Sequence, residues 1–585
     1  MTPPATCNTR EHHAHVLTVN KIDTEAGFHG LEQTWNQLLE RTEFDTVFQM
    51  HQWYRTWWSV FGAGRRLYIL DVRDGDTTVG IAPFMVSGDT GPGTIEFIGA
   101  GNTDYADIIA DKTAKRNVLA AVVDYLARHR SDWVDIVLSQ VTERSTTVGL
   151  MRGLLPDAGL RFRIDEIEQC YAYTYEGPEE GRESFDAGLG NYRNLRNSVN
   201  YFNKNGGMSY ESLTDCDAIE FRLPQLIKFH WLRWKDTPTP SKFLNQADCD
   251  FYYQITRVFA PLNIARLETL FMGDTPVAYV YAFDYKNSIY LYTSALDVFY
   301  NKKSPGIVLY YQITDNYIRR GREAVDYLRG GEQYKGRLTN RAYSNFRISV
   351  YSSGLKHRMI GAYYRFKQTP LGRSLVGNAT LKNIQLQLAS MKRQYGLSGL
   401  LKALPGRIWK RIFEYRVILV WTLGEPQPAR QAKIPLTVRK MTADELDRVA
   451  AFYGAEPKTR KYQVLQDRFE QRADCYVGIH NDIIVGILWG EYKSSYLYEI
   501  DKTYRLKDDE IALVDGITLP QFRGYSVQPA MLGVAMRDWW NAGYKTLSFT
   551  MSTNESVFPV LRKSGGVVTG KVRSLRLFGK EVFKA

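Results

Sequence analysis

The run EIALVDGITL (510–519) passes directly into Pro520-Gln521-Phe522-Arg523-Gly524-Tyr525-Ser526, and a segment patterned as a helix, QPAMLGVAMRDWWNAG (528–543), follows. The first part is an apolar, β-branched run of strand length, and the last repeats apolar residues at helical spacing. The link between them is short and contains one glycine. Gly524 allows a sharp turn and a close approach of backbone to ligand. The amides that open the following helix point outward at the positive end of its dipole. Strand, glycine loop and helix in that order make a seat for a phosphate-type anion.

Working outward, the neighbouring segments keep the same strand and helix alternation. PLTVRKM leads into TADELDRVAAFYG and KYQVLQDRFEQ, then a hairpin of CYVGIHND and IIVGILWGEYK; TLSFTM follows the loop helix. Farther on come Asn554-Glu555-Ser556 and Leu561-Arg562-Lys563-Ser564-Gly565-Gly566. Loop, asparagine helix and order together resemble the GNAT acyltransferase superfamily over residues 434–585. The resemblance implies an acyl-CoA site built from Gln521, Arg523, Gly524, Tyr525, Ser526 and Asn554. One departure stands out. The tyrosine that often serves as general acid in that asparagine helix aligns with Leu561, so a proton would need another donor. Glu510 or Asp515, on the strand before the loop, is a candidate base; the alternative for each is a solvated surface carboxylate.

A second resemblance lies in the middle of the chain. Phe229-His230-Trp231-Leu232-Arg233-Trp234, Thr275-Pro276-Val277-Ala278, Leu296-Asp297, Ser304-Pro305-Gly306 and Tyr327 to Lys335 (YLRGGEQYK) occur in that order. Together with Asn102 to Asp107 (NTDYAD) they resemble the FemAB-like, CelD-like acetyltransferases of the same superfamily over about residues 15–350. Members of that group are commonly tied to exopolysaccharide or cell-envelope biosynthesis. Locally, Ser304 suits a helix N-cap, Pro305 the first helical position and Gly306 a close approach, which puts Ser304 and Gly306 at a second coenzyme loop. Glu332, Tyr334 and Lys335 follow a strand end, where site residues gather. Glu332 could take a proton from an amine, Tyr334 return one and Lys335 hold an anion. Asp297 is a further catalytic candidate. Tyr334 as a core aromatic, Lys335 as a solvated cation, His230 as a packing histidine and Asp297 as a turn former are the alternatives.

Charge is unevenly placed. The 585 residues carry a net +12, and residues 355–424 hold thirteen Lys or Arg against the one acid Glu414, so this segment alone accounts for the excess. A uniformly basic nucleic-acid binder is therefore excluded. LKALPGRIWKRIFEYRVILVWTL (401–423) mixes five cations with long apolar side chains, a pattern expected of a helix at an anionic membrane surface or of a helical bridge between domains. The five cysteines are scattered without metal-ligand or disulfide spacing, and no apolar run approaches the length of a membrane span. No metal site and a cytoplasmic location, with peripheral attachment to the membrane, are expected.

The reading is an α/β (α+β) chain of three GNAT-like units: a disordered 1–14, units at 15–178 and 179–354 in tandem, a basic helical linker at 355–433 and a GNAT unit at 434–585. Its expected activity is N-acyl transfer from acetyl-CoA or another acyl-CoA to an amine on a small molecule or lipid-linked glycan precursor. Aminoacyl-tRNA as donor, in the manner of FemX, and a degenerate, non-catalytic scaffold or ligand sensor are the alternatives.

Overall fold

A computed structural model describes residues 17–189, 193–234, 241–332, 334–352, 413–426, 428, 430–455, 460–497, 502–551, 558–577 and 580–584. The expectations for residues 1–14, for 355–412 and for Asn554 lie outside these. The chain is mixed α/β, as expected.

The larger sheet contains β1 (Arg65–Leu67), β2 (Phe84–Ser87), β3 (Gly93–Phe97), β4 (Trp133–Thr142), β5 (Arg161–Thr174), β6 (Met208–Leu213), β7 (Ala265–Met272), β8 (Thr275–Tyr285), β9 (Ser288–Leu296), β10 (Ala324–Arg329) and β11 (Arg341–Tyr351). Their spatial order is β6-β7-β8-β9-β10-β5-β11-β4-β3-β2-β1. One sheet thus runs through both halves of the tandem, and the halves exchange their last strands. β5 ends the first half yet pairs with β10 of the second, placing Cys170 opposite Arg329. β11 ends the second half yet pairs along β4 of the first, Ile348 opposite Leu138. A cut at residue 178 therefore separates strands that are hydrogen-bonded neighbours.

The second sheet contains β12 (Phe413–Leu423), β13 (Thr437–Met441), β14 (Asp474–His480), β15 (Ile483–Tyr492), β16 (Glu510–Thr518), β17 (Lys545–Met551), β18 (Gly566–Leu577) and β19 (Lys580–Lys584). Its order is β13-β14-β15-β16-β17-β12-β18-β19. Apart from the added edge strand β19, this is the path of β6-β7-β8-β9-β10-β5-β11 with seven added to each label. Residues 161–351 and 413–577 therefore follow the same topology. In each, the strand that comes first in the chain inserts between the parallel crossover strand and the last one.

That insertion corrects the helical expectation for 413–423. β12 is an inner strand, antiparallel to β17 over Ile418–Leu423 and to β18 over its whole length. Ile418, Val420, Trp421 and Leu423 are buried, and the Trp421 indole donates to Thr550 Oγ1 at 2.8 Å. The β-branched run Val417-Ile418 with Val420 favours a strand buried on both faces. Ile418 and Trp421, expected to enter a lipid surface, are inside the protein instead, while Trp409 lies outside the described residues. Among the described residues no helix is long and apolar enough to cross a membrane.

Six helices matter for the site: α1 (Cys216–Trp234), α2 (Gln246–Phe259), α3 (Pro305–Arg319), α4 (Leu446–Tyr453), α5 (Arg460–Glu470) and α6 (Val527–Asn541). α1 and α2 cover one face of the second half, packing Leu223, Ile227, Phe251 and Ile255 on Tyr279, Tyr281 and Phe283. α3 covers the other with Val308, Leu309 and Ile313. The C-terminal sheet docks on the far side of α1, where Trp231 and Leu232 join its apolar core.

Candidate active site in the seam of the tandem

Strands β9 and β10 run parallel and are paired only from Ser288 to Tyr290, after which they part. In the same region β9 carries an extra residue. Thr293 lies opposite Tyr281 and Leu291 opposite Ala282, so Tyr292 is bulged out of the ladder. A bulge re-aims side chains and frees backbone groups, and here it sits at the mouth of the opening between the two strands. Beyond the end of β9, Asp297 caps the short helix Val298–Lys303 by accepting from the Phe299 amide at 3.0 Å. Ser304 then adopts a left-handed conformation (φ 49°), with no side-chain cap bond, at the N-terminus of α3. The Ser304 amide is taken by the Asn301 carbonyl at 3.0 Å and the Ile307 amide by the Ser304 carbonyl at 3.0 Å, so the Gly306 amide is the group at this helix start that suits an anion. The Ser304-Pro305-Gly306 element is thus placed where the sequence puts it. This opening and this loop could hold a coenzyme A thioester.

The other side of the opening is a polar seam supplied by both halves. The 102–107 loop of the first half reaches across. Tyr292 Oη donates to the Asn102 carbonyl at 2.8 Å, and Asp104 pairs with Arg329 at 2.6 Å. Arg329 also donates to the Gly101 carbonyl at 2.8 Å. Tyr105 Oη donates to Asp326 at 2.9 Å, and Arg144 lies 3.4 Å from the same carboxylate. Burial pushes Asp326 up to about 6 and raises Asp104 as well. From α2, Asp248 is also raised by burial. Lys242, on the short helix Lys242–Leu244, donates to Thr293 Oγ1 at 3.0 Å and is pushed down to about 8 by its enclosure.

The Glu332, Tyr334 and Lys335 cluster does assemble at the end of β10, but its groups are engaged with one another. Lys335 is buried, donates to the Arg329 carbonyl at 2.6 Å and pairs with Glu332 at 3.3 Å. Gly330 (φ 129°) makes this possible, since a Cβ there would lie 2.3 Å from Glu332 Oε2 and 2.9 Å from Lys335 Nζ. Tyr334 stacks on Tyr310 of α3 at 5.4 Å, and burial raises its hydroxyl. The histidine of the FHWLRW run, His230, contacts Ser241 Oγ at 2.8 Å and is pushed down to about 3 by burial, so it is neutral and packed.

In the C-terminal half two expectations are corrected. Glu510 opens β16, while the glycine loop follows its other end, about 26 Å away at strand rise, so it cannot serve that loop. Glu510 instead accepts from the Lys507 amide at 3.0 Å. Gln521 does not face a ligand: it is buried and donates to the Pro224 carbonyl of α1 at 3.0 Å. Arg523, Gly524 (φ 84°) and Tyr525 are exposed, and Ser526 is left-handed at the start of α6, as Ser304 is at α3. Lys242, Asp104, Asp248, Thr293 and Arg329 were not among the sequence candidates. Asp104 and Arg329 lay inside quoted motifs; Lys242 is an isolated cation between two apolar helices, with no local motif to mark it.

Residues 179–336, which contain the β9/β10 opening, Ser304 and Lys335, match the family model described as an acetyltransferase (GNAT) domain. The chain carries a GNAT acetyltransferase domain. It is accordingly an acyltransferase. No curated protein matches the chain in sequence. Among solved structures it is similar to FemX (10% identity, 58% of this chain and 99% of that one, TM-score 0.42). It is also similar to L-PGS from Bacillus licheniformis (10% identity, 56% and 94%, TM-score 0.37). A tandem GNAT protein from the clavulanic acid biosynthesis pathway is a third (10% identity, 58% and 100%, TM-score 0.33). At these scores the likeness is one of coarse outline.

Proposed function

We propose that the GNAT domain transfers an acyl group, acetyl in the simplest case, from coenzyme A to an amine held in the seam between the tandem halves. The observation that carries this is a convergence. The bulge at Tyr292, the parting of β9 from β10 and the left-handed serine at the start of α3 lie on one side, and the Asp104, Asp248 and Arg329 groups on the other. A coenzyme A thioester supplies the activated acyl carbon. The chain's own part is to hold the phosphates at the Gly306 amide of α3, to present the carbonyl at the bulge and to position an ammonium against Asp104 or Asp248. A carboxylate raised by burial is suited to accept a proton from such an ammonium as it becomes a nucleophile. The family resemblance supports an amino sugar or another amine-bearing envelope or exopolysaccharide precursor as acceptor.

The test is calorimetric binding of acetyl-CoA to the full chain. Gly306→Glu places bulk and negative charge at the α3 loop, where a Cβ already approaches Leu296 to 3.4 Å. Affinity is expected to fall at least about 100-fold, the scale of losing a charge-assisted anion site. Unchanged affinity in Gly306→Glu, or its loss in Gly524→Glu instead, would move the donor site to the C-terminal half.

A further inference from the structure

Lys242 is built into an unusual place. Its amine turns back into the seam and donates to Tyr252 Oη at 2.5 Å and Thr293 Oγ1 at 3.0 Å. The rings of Tyr252, Tyr292 and Phe243 surround it, with centroids at 4.8, 4.9 and 5.5 Å. Among the described residues no carboxylate lies within ion-pair distance. The charges that face it are Asp248 from α2, Asp104 from the first half and Arg329 from β10. His230 of α1, itself neutral, is also close. Tyr252 and Tyr292 both remain protonated, since burial raises their hydroxyls. Enclosure therefore works against the ammonium form, and the Asp248 and Asp104 charges offset it only in part. Thr293 adjoins the bulged Tyr292 on the part of β9 that has left β10, so the amine stands one hydroxyl from the strand along which the thioester would lie.

We propose that Lys242 is an acylation site of the chain itself. The proposal rests on the donor reading above. With an acyl-CoA in the opening and no amine acceptor in the seam, the neutral Nζ attacks the thioester carbonyl. A C–N bond forms, the C–S bond breaks, and coenzyme A departs as a thiolate that takes up the proton released from the nitrogen. The product is an uncharged acyl-lysine amide in a box sized for an amine. It fills the acceptor side, so self-acylation turns the enzyme down whenever donor outruns acceptor.

The experiment uses the full-length protein and acetyl-CoA alone, with peptide mass spectrometry after set times at pH 7 and pH 9. Acetyl-lysine is expected at position 242 ahead of the exposed Lys507, an internal control for uncatalysed labelling. Modification at 242 should run about tenfold faster at pH 9, as the neutral fraction of a group titrating near 8 rises from about a tenth to about nine-tenths. Gly306→Glu should abolish labelling at 242 and leave Lys507 unaffected, because the donor must be held for one and not for the other. If acetyl-CoA binds in calorimetry and Lys242 stays unmodified at both pH values, self-acylation is wrong and the donor reading stands. If acetyl-CoA does not bind, the donor reading falls and this one with it. Labelling at 242 that persists in Gly306→Glu overturns the proposal in favour of simple chemical reactivity.

Discussion

Residues 161–351 and 413–577 draw the same path through a sheet, and each bulges the strand before its crossover helix, yet the two bulges meet opposite chemistry. In β9 the extra residue is Tyr292, and the neighbouring Thr293 receives the Lys242 amine. In β16 the irregularity falls between Val514 and Ile517, and it carries Asp515 in a left-handed conformation (φ 48°). There Arg468 of α5 grips Asp515 at 2.6 Å and also meets Glu491 of β15 at 3.2 Å. The loops in front differ too. The Ser304 loop faces the seam, whereas the corresponding C-terminal loop is tied to α1 through Gln521 and Pro224. The topology supplies an opening in both places. Side chains on the second helix and the packing of the loop decide whether chemistry can enter it. The Ser304 loop is left facing the seam, whereas its C-terminal counterpart is held against α1.

The comparison breaks first at β12. If this strand is the counterpart of β5, Trp421→Ala should cost about 4 kcal/mol of the C-terminal half's stability, the usual price of emptying a large buried aromatic site. Denaturant unfolding followed by amide exchange within 413–577 measures it; a loss under about 1 kcal/mol would remove the strand from the core. Next is the Arg468 triad. Arg468→Ala leaves Glu491 beside Asp515 without a counter-ion and should destabilise by about 3 kcal/mol, while Arg468→Met, which keeps the packing over Trp489, should cost markedly less. Equal losses in the two variants would show that the lost charge alone matters there. The smallest effect distinguishes the crossover strands. Tyr290 pairs with Asp326 in one sheet, and Ala512 pairs with Leu547 at the matching point of the other. The Asp326 carboxyl is raised from 3.8 to about 6 by burial, so between those values the folded chain keeps a proton that the unfolded chain has lost. Its contribution is present at acid pH and fades as pH rises through 6. Between pH 5 and pH 7 the tandem should lose about 1 kcal/mol from this group, a slope absent in Asp326→Asn. Parallel pH curves for the two proteins would contradict the shift.

What the sequence discloses follows from how local each signal is. The strand, glycine loop and helix at 510–543 is contiguous, and Ser304-Pro305-Gly306 announces a helix start by its residue types alone. The reciprocal placing of β5 and β11 leaves no such mark, because strand pairing across nearly two hundred residues depends on edges that no window contains. The run at 417–423 misleads for a related reason. Cations upstream make it resemble an amphipathic helix, while its β-branched residues answer to two neighbours, β17 and β18, far along the chain. The seam is hidden similarly: Asp104 and Arg329 are unremarkable until the sheet brings them to 2.6 Å. Lys242 has no pattern of its own; only the bulge in β9 gives its amine a purpose.

The exchange of β5 and β11 has a consequence for the order in which this protein is made. When the ribosome has finished the first half, β4 has a free edge, and the strand that will cover it is still about 170 residues from synthesis. At translation rates of about 5–20 residues per second, that edge waits on the order of 10–35 s. An unpaired strand edge is a template for any other extended chain. The nascent first half must therefore be shielded, or remain incompletely folded, until residue 351 emerges and closes both halves at once.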